Sequence, residues 1–383
     1  MSSQMTIRVL VVDDSPFMRK SLQKMLEEAP DIRVVATARD GVDALEKIQE
    51  FKPDLVTLDI EMPRMDGLTC LKKIMADHPM PVLMVSSLTQ EGAQATLDAL
   101  SLGALDFIPK ESGFASLSIL QIQHDLQEKV RRLATSPRFH KPPPASHPRA
   151  THAPPTYPPT AHSSAAPTPV RPAAAPKPHA PPPPAGSTLS ATPLAELLLI
   201  GSSTGGPKAL QDLLPTLPGS LPVPCLIVQH MPSTFTKPFA DRLDGLCQVH
   251  VKEAEQGEPL KAGTVYIAPG GIHMTYGTRG AKGCIELSPE PVSSLHRPSV
   301  DVLFLSVSEL FRGQVLAGIL TGMGSDGAKG MEQLKRKGAH TLAESEESCV
   351  VYGMPRAAVE RGCVDVVAPL ADISGHLRKH FRI

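Results

Sequence analysis

The 383-residue sequence lacks the features that indicate a secreted, membrane-spanning or nucleic-acid-binding protein. No C-x-x-C pair occurs, which argues against a zinc site or a disulfide framework and fits a reducing compartment. No apolar run approaches the ~18 residues that a membrane helix needs, and the N-terminus does not read as a secretory signal. Lys and Arg total 38 against 39 acidic residues, so no overall field favours nucleic acid or an anionic membrane. These absences predict a soluble, cytoplasmic protein without membrane insertion. The six scattered cysteines are Cys70, Cys225, Cys247, Cys284, Cys349 and Cys363.

Acidic residues are also absent from one long internal stretch. Between Ser136 and Pro193 the chain has no Asp or Glu, but it holds 19 of the 40 prolines. Such a segment cannot bury a core, and its prolines remove backbone donors, so it predicts an extended, disordered spacer. A docking site for a proline-binding module is the less favoured alternative. We therefore expect three parts: a domain over 1–130, a flexible Pro/Ala-rich linker over 131–192, and a second domain over 193–383.

Both flanking regions alternate short apolar runs with amphipathic helical patterns. The first region contains IRVLVV, RVVATA, DLVTLD, PVLMVS and ALDFIP, and the second contains ELLLIG, PCLIVQH, GTVYIAP, LAGILTG and CVDVVAP. Runs that are apolar throughout are typical of strands covered by helices on both faces. The sequence therefore predicts two α/β domains, each a doubly wound parallel sheet.

Acidic side chains follow two strands of the first domain. Asp13 and Asp14 follow the first strand, and Asp59 ends the third. The carboxyl ends of parallel strands meet at one edge of the sheet, and oxygen ligands of this kind suit Mg²⁺. The presence of Lys110 at the end of the fifth strand is explained if an anion such as a phosphoryl group binds at this edge of the sheet. Alternatively, Asp13 and Asp14 cap the helix that begins SPFMRKSL.

The segments VVDDSPFMR, TLDIEMPRMDG, MVSSLT and GALDFIPK resemble the landmarks of response-regulator receiver domains, which have a flavodoxin-like fold. The resemblance implies that Asp59 accepts a phosphoryl group from a sensor histidine kinase, with Mg²⁺ held by Asp13, Asp14 and Asp59. It further implies that Ser86 binds the phosphoryl oxygen, that Lys110 pairs with its charge, and that Phe107 occupies the aromatic switch position.

In the second domain, GSSTGG joins a strand to a helix at Gly201–Gly206. A phosphate-binding loop is one interpretation, but neither dinucleotide nor P-loop spacing is present. The G-x-S-x-G pattern instead predicts that Ser203 is exposed as a nucleophile. His230 and Asp326 follow neighbouring strands, so the sequence predicts a base and an orienting acid at the same sheet edge.

The segments IGSSTGGPKAL, IVQHMP, YIAPGGIHM, HRPSVDVLF, LTGMGSDGAKG and ESCVVYGMPRAA are similar to the catalytic domain of chemotaxis protein-glutamate methylesterases. That resemblance implies a Ser203, His230 and Asp326 triad, with Thr204 and the Met323 amide near the oxyanion. It implies hydrolysis of glutamate methyl esters on chemoreceptors with release of methanol, together with glutamine deamidation. No cofactor is expected in this domain.

We expect the unphosphorylated first domain to dock over the catalytic strand ends, and phosphorylation of Asp59 to shift that equilibrium. The long spacer gives a low effective concentration, so docking should be weak unless the interface is good. Two other classes remain: a receiver joined to a non-catalytic scaffold, disfavoured by the triad, and one joined to a DNA-binding output, disfavoured by the absence of a basic face.

Overall fold

The computed structural model describes residues 6–110, 116–136, 139, 195–280 and 282–383, and of 116–121 only the helical backbone. Most of the predicted linker lies outside these residues. Within the described ranges, every helix is too short or too polar to span a lipid bilayer.

The N-terminal domain alternates strands and helices. Its elements are β1 (Ile7–Val12), α1 (Pro16–Glu27), β2 (Ile32–Ala38), α2 (Gly41–Phe51), β3 (Leu55–Asp59), α3 (Gly67–Asp77), β4 (Val82–Ser87), α4 (Gln90–Leu102), β5 (Asp106–Lys110) and α5 (Ser116–Ala134). Over its described residues the five strands form a parallel sheet in the order β2-β1-β3-β4-β5.

Successive residues of these strands face two different apolar layers. Leu10 and Val12 belong to the cluster that includes residues of α2, α3 and α4, whereas Val9 and Val11 belong to the cluster that includes residues of α1 and α5. A strand turns alternate side chains to opposite faces, so both faces of the sheet are covered. The prediction of a doubly wound parallel sheet is confirmed for this domain.

The C-terminal domain repeats this plan with a larger sheet. Its elements are β6 (Leu197–Ser202), α6 (Gly206–Leu213), β7 (Cys225–Gln229), α7 (Ser233–Leu246), β8 (His250–Glu253), β9 (Thr264–Ile267), β10 (His273–Arg279), β11 (Lys282–Ser288), α8 (Val300–Leu310), β12 (Val315–Ile319), α9 (Ala328–Arg336), β13 (His340–Glu344), α10 (Met354–Glu360), β14 (Val366–Ala368) and α11 (Leu370–Phe381).

Seven of these strands, in the described residues after 194, form a parallel sheet in the order β14-β13-β12-β6-β7-β9-β8. Strand β6 lies between β12 and β7, so the turns that follow these three strands meet at one sheet edge. The predicted doubly wound sheet is again confirmed. Strands β8 and β13 and the antiparallel pair of β10 and β11 were not predicted.

The two domains contact each other and belong to one compact unit. Helix α4 packs against α6 and α7, and apolar residues of the three helices share one buried cluster. Arg242 on α7 donates hydrogen bonds to Asp98 at 2.5 Å and to Ser101 at 2.9 Å. Phe107 stacks on Phe235 with ring centroids 4.5 Å apart. The docking expected from the sequence therefore has an apolar and a polar component.

The start of α3 tests how tightly the Asp59 strand end is packed. A Cβ added to Gly67 would lie 2.0 Å from the Asp59 carbonyl oxygen, so the backbone would have to move. We expect Gly67→Ala to destabilise the protein by about 1–3 kcal/mol, as overpacking does. The Tm from differential scanning calorimetry measures this loss. Gly245→Ala is the matched control, because nothing lies within 4 Å of that position. An unchanged Tm for Gly67→Ala would contradict the predicted packing.

Candidate active site and phosphoacceptor site

The turn between β6 and α6 presents Ser203. Its backbone N–H donates to the Thr321 carbonyl at 3.1 Å, and its side chain is only partly buried. Gly205 has a φ of 78°, and a Cβ there would lie 2.5 Å from Val350. The turn therefore requires glycine at this position, because its φ is left-handed and its neighbour leaves no room for a side chain.

Ser202, one residue earlier, has a structural role. Its side chain is fully buried and donates to Gln229 Oε1 at 2.7 Å. The amide nitrogen of Gln229 donates to the backbone carbonyls of Ser203 and His230, both at 3.0 Å. Gln229 therefore ties the ends of β6 and β7 together. Sequence reasoning missed this residue, although its polarity at the end of a buried strand was a signal.

His230 and Asp326 form an ion-pair contact, with Nε2 2.8 Å from Oδ2. An ionised carboxylate only accepts hydrogen bonds, so Nε2 carries the proton in this pair. The other ring nitrogen, Nδ1, is buried and has no hydrogen-bond partner. In the neutral ring, Nδ1 therefore has the lone pair that a general base needs.

The Asp326 carboxylate lies at the N-terminus of α8. Besides His230, it accepts hydrogen bonds from Ser299 Oγ at 2.9 Å, Val300 N at 2.7 Å, Asp301 N at 3.0 Å and Gly327 N at 3.1 Å. Burial favours the neutral acid, but the His230 hydrogen bond and charge and the backbone donors outweigh burial and lower the pKa of Asp326. Helix N-termini stabilise negative charge in the same way. Asp326 is therefore held as an anion.

Ser203 and His230 line one cavity of about 520 Å³. Within the described residues, no hydrogen bond joins the Ser203 hydroxyl to His230. Such contacts are often absent before substrate binds. Phe107 and Lys129 line the same cavity from the N-terminal domain. The predicted triad residues therefore lie at one edge of the sheet, and residues of the N-terminal domain line one side of the cavity there.

Thr204 and Met323 both lie near Ser203, but the Thr204 hydroxyl has a partner in the other domain. The Thr204 hydroxyl donates to Asp106 of the N-terminal domain at 2.8 Å, so it is engaged across the interface. The backbone N–H groups of Thr204 and Met323 donate to no group in the described ranges. A Cβ at Gly322 would lie 3.0 Å from Ser203 Cβ, so the chain before Met323 passes close to the serine.

Two further histidines lie close to the pair. The His296 ring stacks on His230 with centroids 4.2 Å apart. Surrounding protein atoms and the charge of His230 lower the pKa of His296. His273 is fully buried, and its Nδ1 accepts from Ser299 N at 3.2 Å. His273 therefore has a structural contact, whereas His296 is a neighbour of the site that only the folded chain could reveal.

At the edge of the N-terminal sheet, single carboxylate oxygens of Asp13, Asp14 and Asp59 lie within 4.8 Å of one another. Lys110 Nζ lies 2.8 Å from Asp13 and 2.7 Å from Asp59. The alternative that the acid pair caps α1 is wrong, because Ser15 accepts the capping bond. Three oxygen donors around one point fit Mg²⁺.

Burial raises the pKa of Asp59 to about 6, although Lys110 opposes this shift. Burial also lowers the pKa of Lys110, but its two carboxylate partners outweigh burial and raise it. The three carboxylates would repel one another without a cation, and Lys110 supplies one positive charge between Asp13 and Asp59. The lysine and the carboxylates therefore form one coupled group, as predicted from their places at the strand ends.

Ser86 and Phe107 lie on β4 and β5. The Ser86 hydroxyl is buried 2.6 Å from Thr96 Oγ1 and 3.2 Å from the Gly92 carbonyl oxygen, so it contacts α4. Phe107 is buried against Phe235 of the other domain. The described hydrogen bonds do not join Ser86 to Asp59.

Comparison with known proteins identifies both domains. Residues 198–377 match the CheB methylesterase family, and residues 9–120 match the response regulator receiver domain. The chain is 50% identical over 371 residues to a protein-glutamate methylesterase/protein-glutamine glutaminase of Oleidesulfovibrio alaskensis, covering 96% of this chain and 97% of the relative. It is 47% identical to the protein of that name from Halalkalibacterium halodurans, covering 95% of each chain.

Among solved structures, the catalytic domain of a Thermotoga maritima CheB methylesterase is 43% identical, covers 48% of this chain and 97% of its own, and has a TM-score of 0.47. The family assignment rests on the two relatives, because their sequence identity to this chain extends over nearly the whole of both chains. The chain therefore belongs to the CheB methylesterase family of hydrolases, with a response regulator receiver domain preceding the enzyme domain.

Proposed function

We propose that this protein is a phosphorylation-regulated protein-glutamate methylesterase with a Ser203, His230 and Asp326 triad. Its substrates are glutamate methyl esters of chemoreceptor cytoplasmic domains, and its place is the cytoplasm. It acts in chemotactic adaptation or a related signalling array. The observation that carries the proposal is the His230–Asp326 hydrogen bond, together with the cavity that His230 and Ser203 both line.

In the first step, the Ser203 hydroxyl attacks the ester carbonyl carbon and His230 Nδ1 takes its proton. Asp326 holds the ring with Nε2 protonated and stabilises the imidazolium that forms. The lowered pKa of Asp326 keeps the carboxylate charged throughout. His296, stacked on the ring, restrains its plane.

The negative charge of the tetrahedral intermediate falls on the former carbonyl oxygen. The backbone N–H groups of Thr204 and Met323 are the donors we assign to it, since they have no other described partner and flank Ser203. Preorganised amides of this kind are a major source of rate enhancement in acyl transfer. While the two domains are docked, the Thr204 hydroxyl donates to Asp106 and is not free to bind the oxyanion.

Collapse of the intermediate breaks the C–O bond, and the His230 imidazolium gives its proton to the departing methanol. Water, deprotonated by His230, then attacks the acyl-serine and releases glutamate and Ser203. A glutamine side chain presents the same carbonyl with ammonia as the leaving group. The same residues therefore support deamidation, as the names of the relatives state for those proteins.

In the receiver domain, a sensor histidine kinase transfers a phosphoryl group to the Asp59 carboxylate. Bound Mg²⁺ would neutralise charge between the phosphoryl group and its ligands Asp13, Asp14 and Asp59. Lys110 pairs with the added charge after exchanging one of its carboxylate partners. Ser86 reaches the phosphoryl oxygen by leaving its contacts with α4.

The movement of Ser86 provides a link to the enzyme domain. Its present partners belong to α4, and α4 packs against α6 and α7. A change in α4 or Phe107 therefore alters the docked interface. Phosphorylation raises activity by favouring a state in which the receiver no longer lines and covers the cavity.

The decisive experiment is methanol release from a methylated receptor by the full-length protein. Ser203→Ala should lower kcat at least about a thousandfold, because it removes the nucleophile. Ser374→Ala, at a half-buried position on α11 whose hydroxyl donates to the Ala371 carbonyl, is the matched control and should retain activity. Equal release by wild type and Ser203→Ala would overturn the proposed function.

Removal of Mg²⁺ distinguishes the contribution of the receiver from the basal activity of the enzyme domain. With Mg²⁺ and a small phosphodonor, we expect methanol release to rise severalfold above basal. EDTA should abolish the rise but not basal release, because the acidic cluster lies in the receiver. Asp59→Asn in Mg²⁺ should give the same result as EDTA. Stimulation that survives in Asp59→Asn would show that another group accepts the phosphoryl.

The docked interface makes a separate prediction. Arg242→Ala removes hydrogen bonds to Asp98 and Ser101, and an ion pair as exposed as the one with Asp98 contributes about 1 kcal/mol or less. We expect basal methanol release without phosphodonor to rise severalfold. Lys237→Ala is the control, since on the same helix Lys237 pairs only with Asp241. Equal basal rates in Arg242→Ala and wild type would show that docking does not limit access.

A further inference from the structure

One segment of the cavity rim exposes apolar side chains. The rim segment, residues 289–297, joins β11 to the start of α8. Leu295 is 95% exposed and Val292 is 58% exposed, and Leu295 is the most exposed large apolar residue in the described ranges. Single exposed apolar residues are common on protein surfaces. Two exposed apolar side chains on one short segment beside the cavity require a physical explanation.

The exposure does not come from a lack of local structure. Val292 N donates to Glu290 Oε2, Ser294 N donates to the Pro291 carbonyl, and Ser294 Oγ donates to the His296 carbonyl. Gly271 N donates to the Arg297 carbonyl at 3.0 Å, which fixes the end of the segment to the preceding turn. The backbone therefore holds Val292 and Leu295 outward instead of folding them onto the core.

Arg297 adds an unpaired cation to the same surface. Its side chain is exposed, and no carboxylate among the described residues forms a salt bridge or hydrogen bond with it. Arg242 at the domain interface differs in this respect, because it is bonded to Asp98. An arginine fork suits the bidentate binding of a carboxylate from another molecule.

The rim segment is continuous with the catalytic cavity. Leu295, His296 and Arg297 line the same cavity as Ser203 and His230. A polypeptide whose side chain enters this cavity to reach Ser203 therefore comes close to these residues. Apolar surface and a free guanidinium together match a partner with an apolar side chain and a carboxylate.

We propose that the rim segment is the docking surface for the substrate polypeptide around the reacting side chain. Leu295 and Val292 bind an apolar side chain of the substrate, and Arg297 binds a second carboxylate that neighbours the glutamyl ester. The inference rests on the proposed methylesterase function and names the sequence context that the site selects. A single substrate ester without these neighbours would enter the cavity but lose the rim contacts.

The test compares two substrates on the full-length protein: a methylated receptor and the small ester p-nitrophenyl acetate. For Leu295→Ser and Arg297→Gln, we expect KM for the receptor to rise about tenfold, which corresponds to loss of one good contact. The ratio of kcat/KM for the receptor to that for the small ester should fall by a similar factor. Leu310→Ser and Arg312→Gln are matched controls on exposed positions at and beyond the end of α8.

Raising the salt concentration should weaken receptor binding by the wild type more than by Arg297→Gln, because surface ion pairs are screened. An unchanged substrate ratio in both rim variants would overturn the inference. A parallel loss on both substrates would also overturn it, since the segment would then support the active site itself. If sedimentation shows that Leu295→Ser abolishes self-association, the occupant is a second copy and the inference fails.

Ser203→Ala keeps the two proposals distinguishable. If Ser203→Ala still releases methanol, the proposed function fails whatever the rim variants do. If Ser203→Ala is inactive and the rim variants keep the wild-type substrate ratio, only the docking surface is wrong.

Discussion

The arrangement of the candidate active site depends on the set of hydrogen bonds that the Asp326 carboxylate accepts. A buried charge is costly unless donors surround it, and here two side chains and three backbone N–H groups do so. Because these donors come from β7's end, the start of α8 and the turn before α9, satisfying one carboxylate fixes three segments. It also fixes the His230 tautomer. Asp326 thus orients the His230 ring and stabilises the local fold at once.

The interface between the domains couples a polar and an apolar contact near the serine. Asp106 accepts from Thr204, one residue beyond Ser203, and also from Lys129. The next residue, Phe107, stacks on Phe235. A rearrangement of β5 therefore cannot leave the Ser203 turn untouched. The long linker predicted from the sequence favours weak docking, but this interface has the contacts that offset a low effective concentration.

The sequence was sufficient to predict both parallel sheets and the strand ends that carry Asp59, Ser203, His230 and Asp326, because apolar runs and polar strand ends are local patterns. The antiparallel pair β10 and β11 was missed, since its alternation is weak and it lies outside the main sheet. Gln229 and the stacking of His296 were also missed. The polarity of Gln229 at the end of a buried strand was a local signal, but the partners of both residues depend on which segments become neighbours in the fold.

Residues of both domains line the cavity. The residues proposed to regulate access therefore differ from the residues proposed to recognise the substrate. Phe107 and Lys129 come from the receiver, whereas Leu295 and Arg297 come from the enzyme domain. Displacing the receiver removes Phe107 and Lys129 from the cavity and leaves the rim segment in place. In the proposed mechanism, phosphorylation changes access to this surface, whereas the described hydrogen bonds of the His230–Asp326 pair lie within the enzyme domain. On this proposal the signal acts on access to the cavity and on the Ser203 turn, and it leaves the His230–Asp326 pair unchanged.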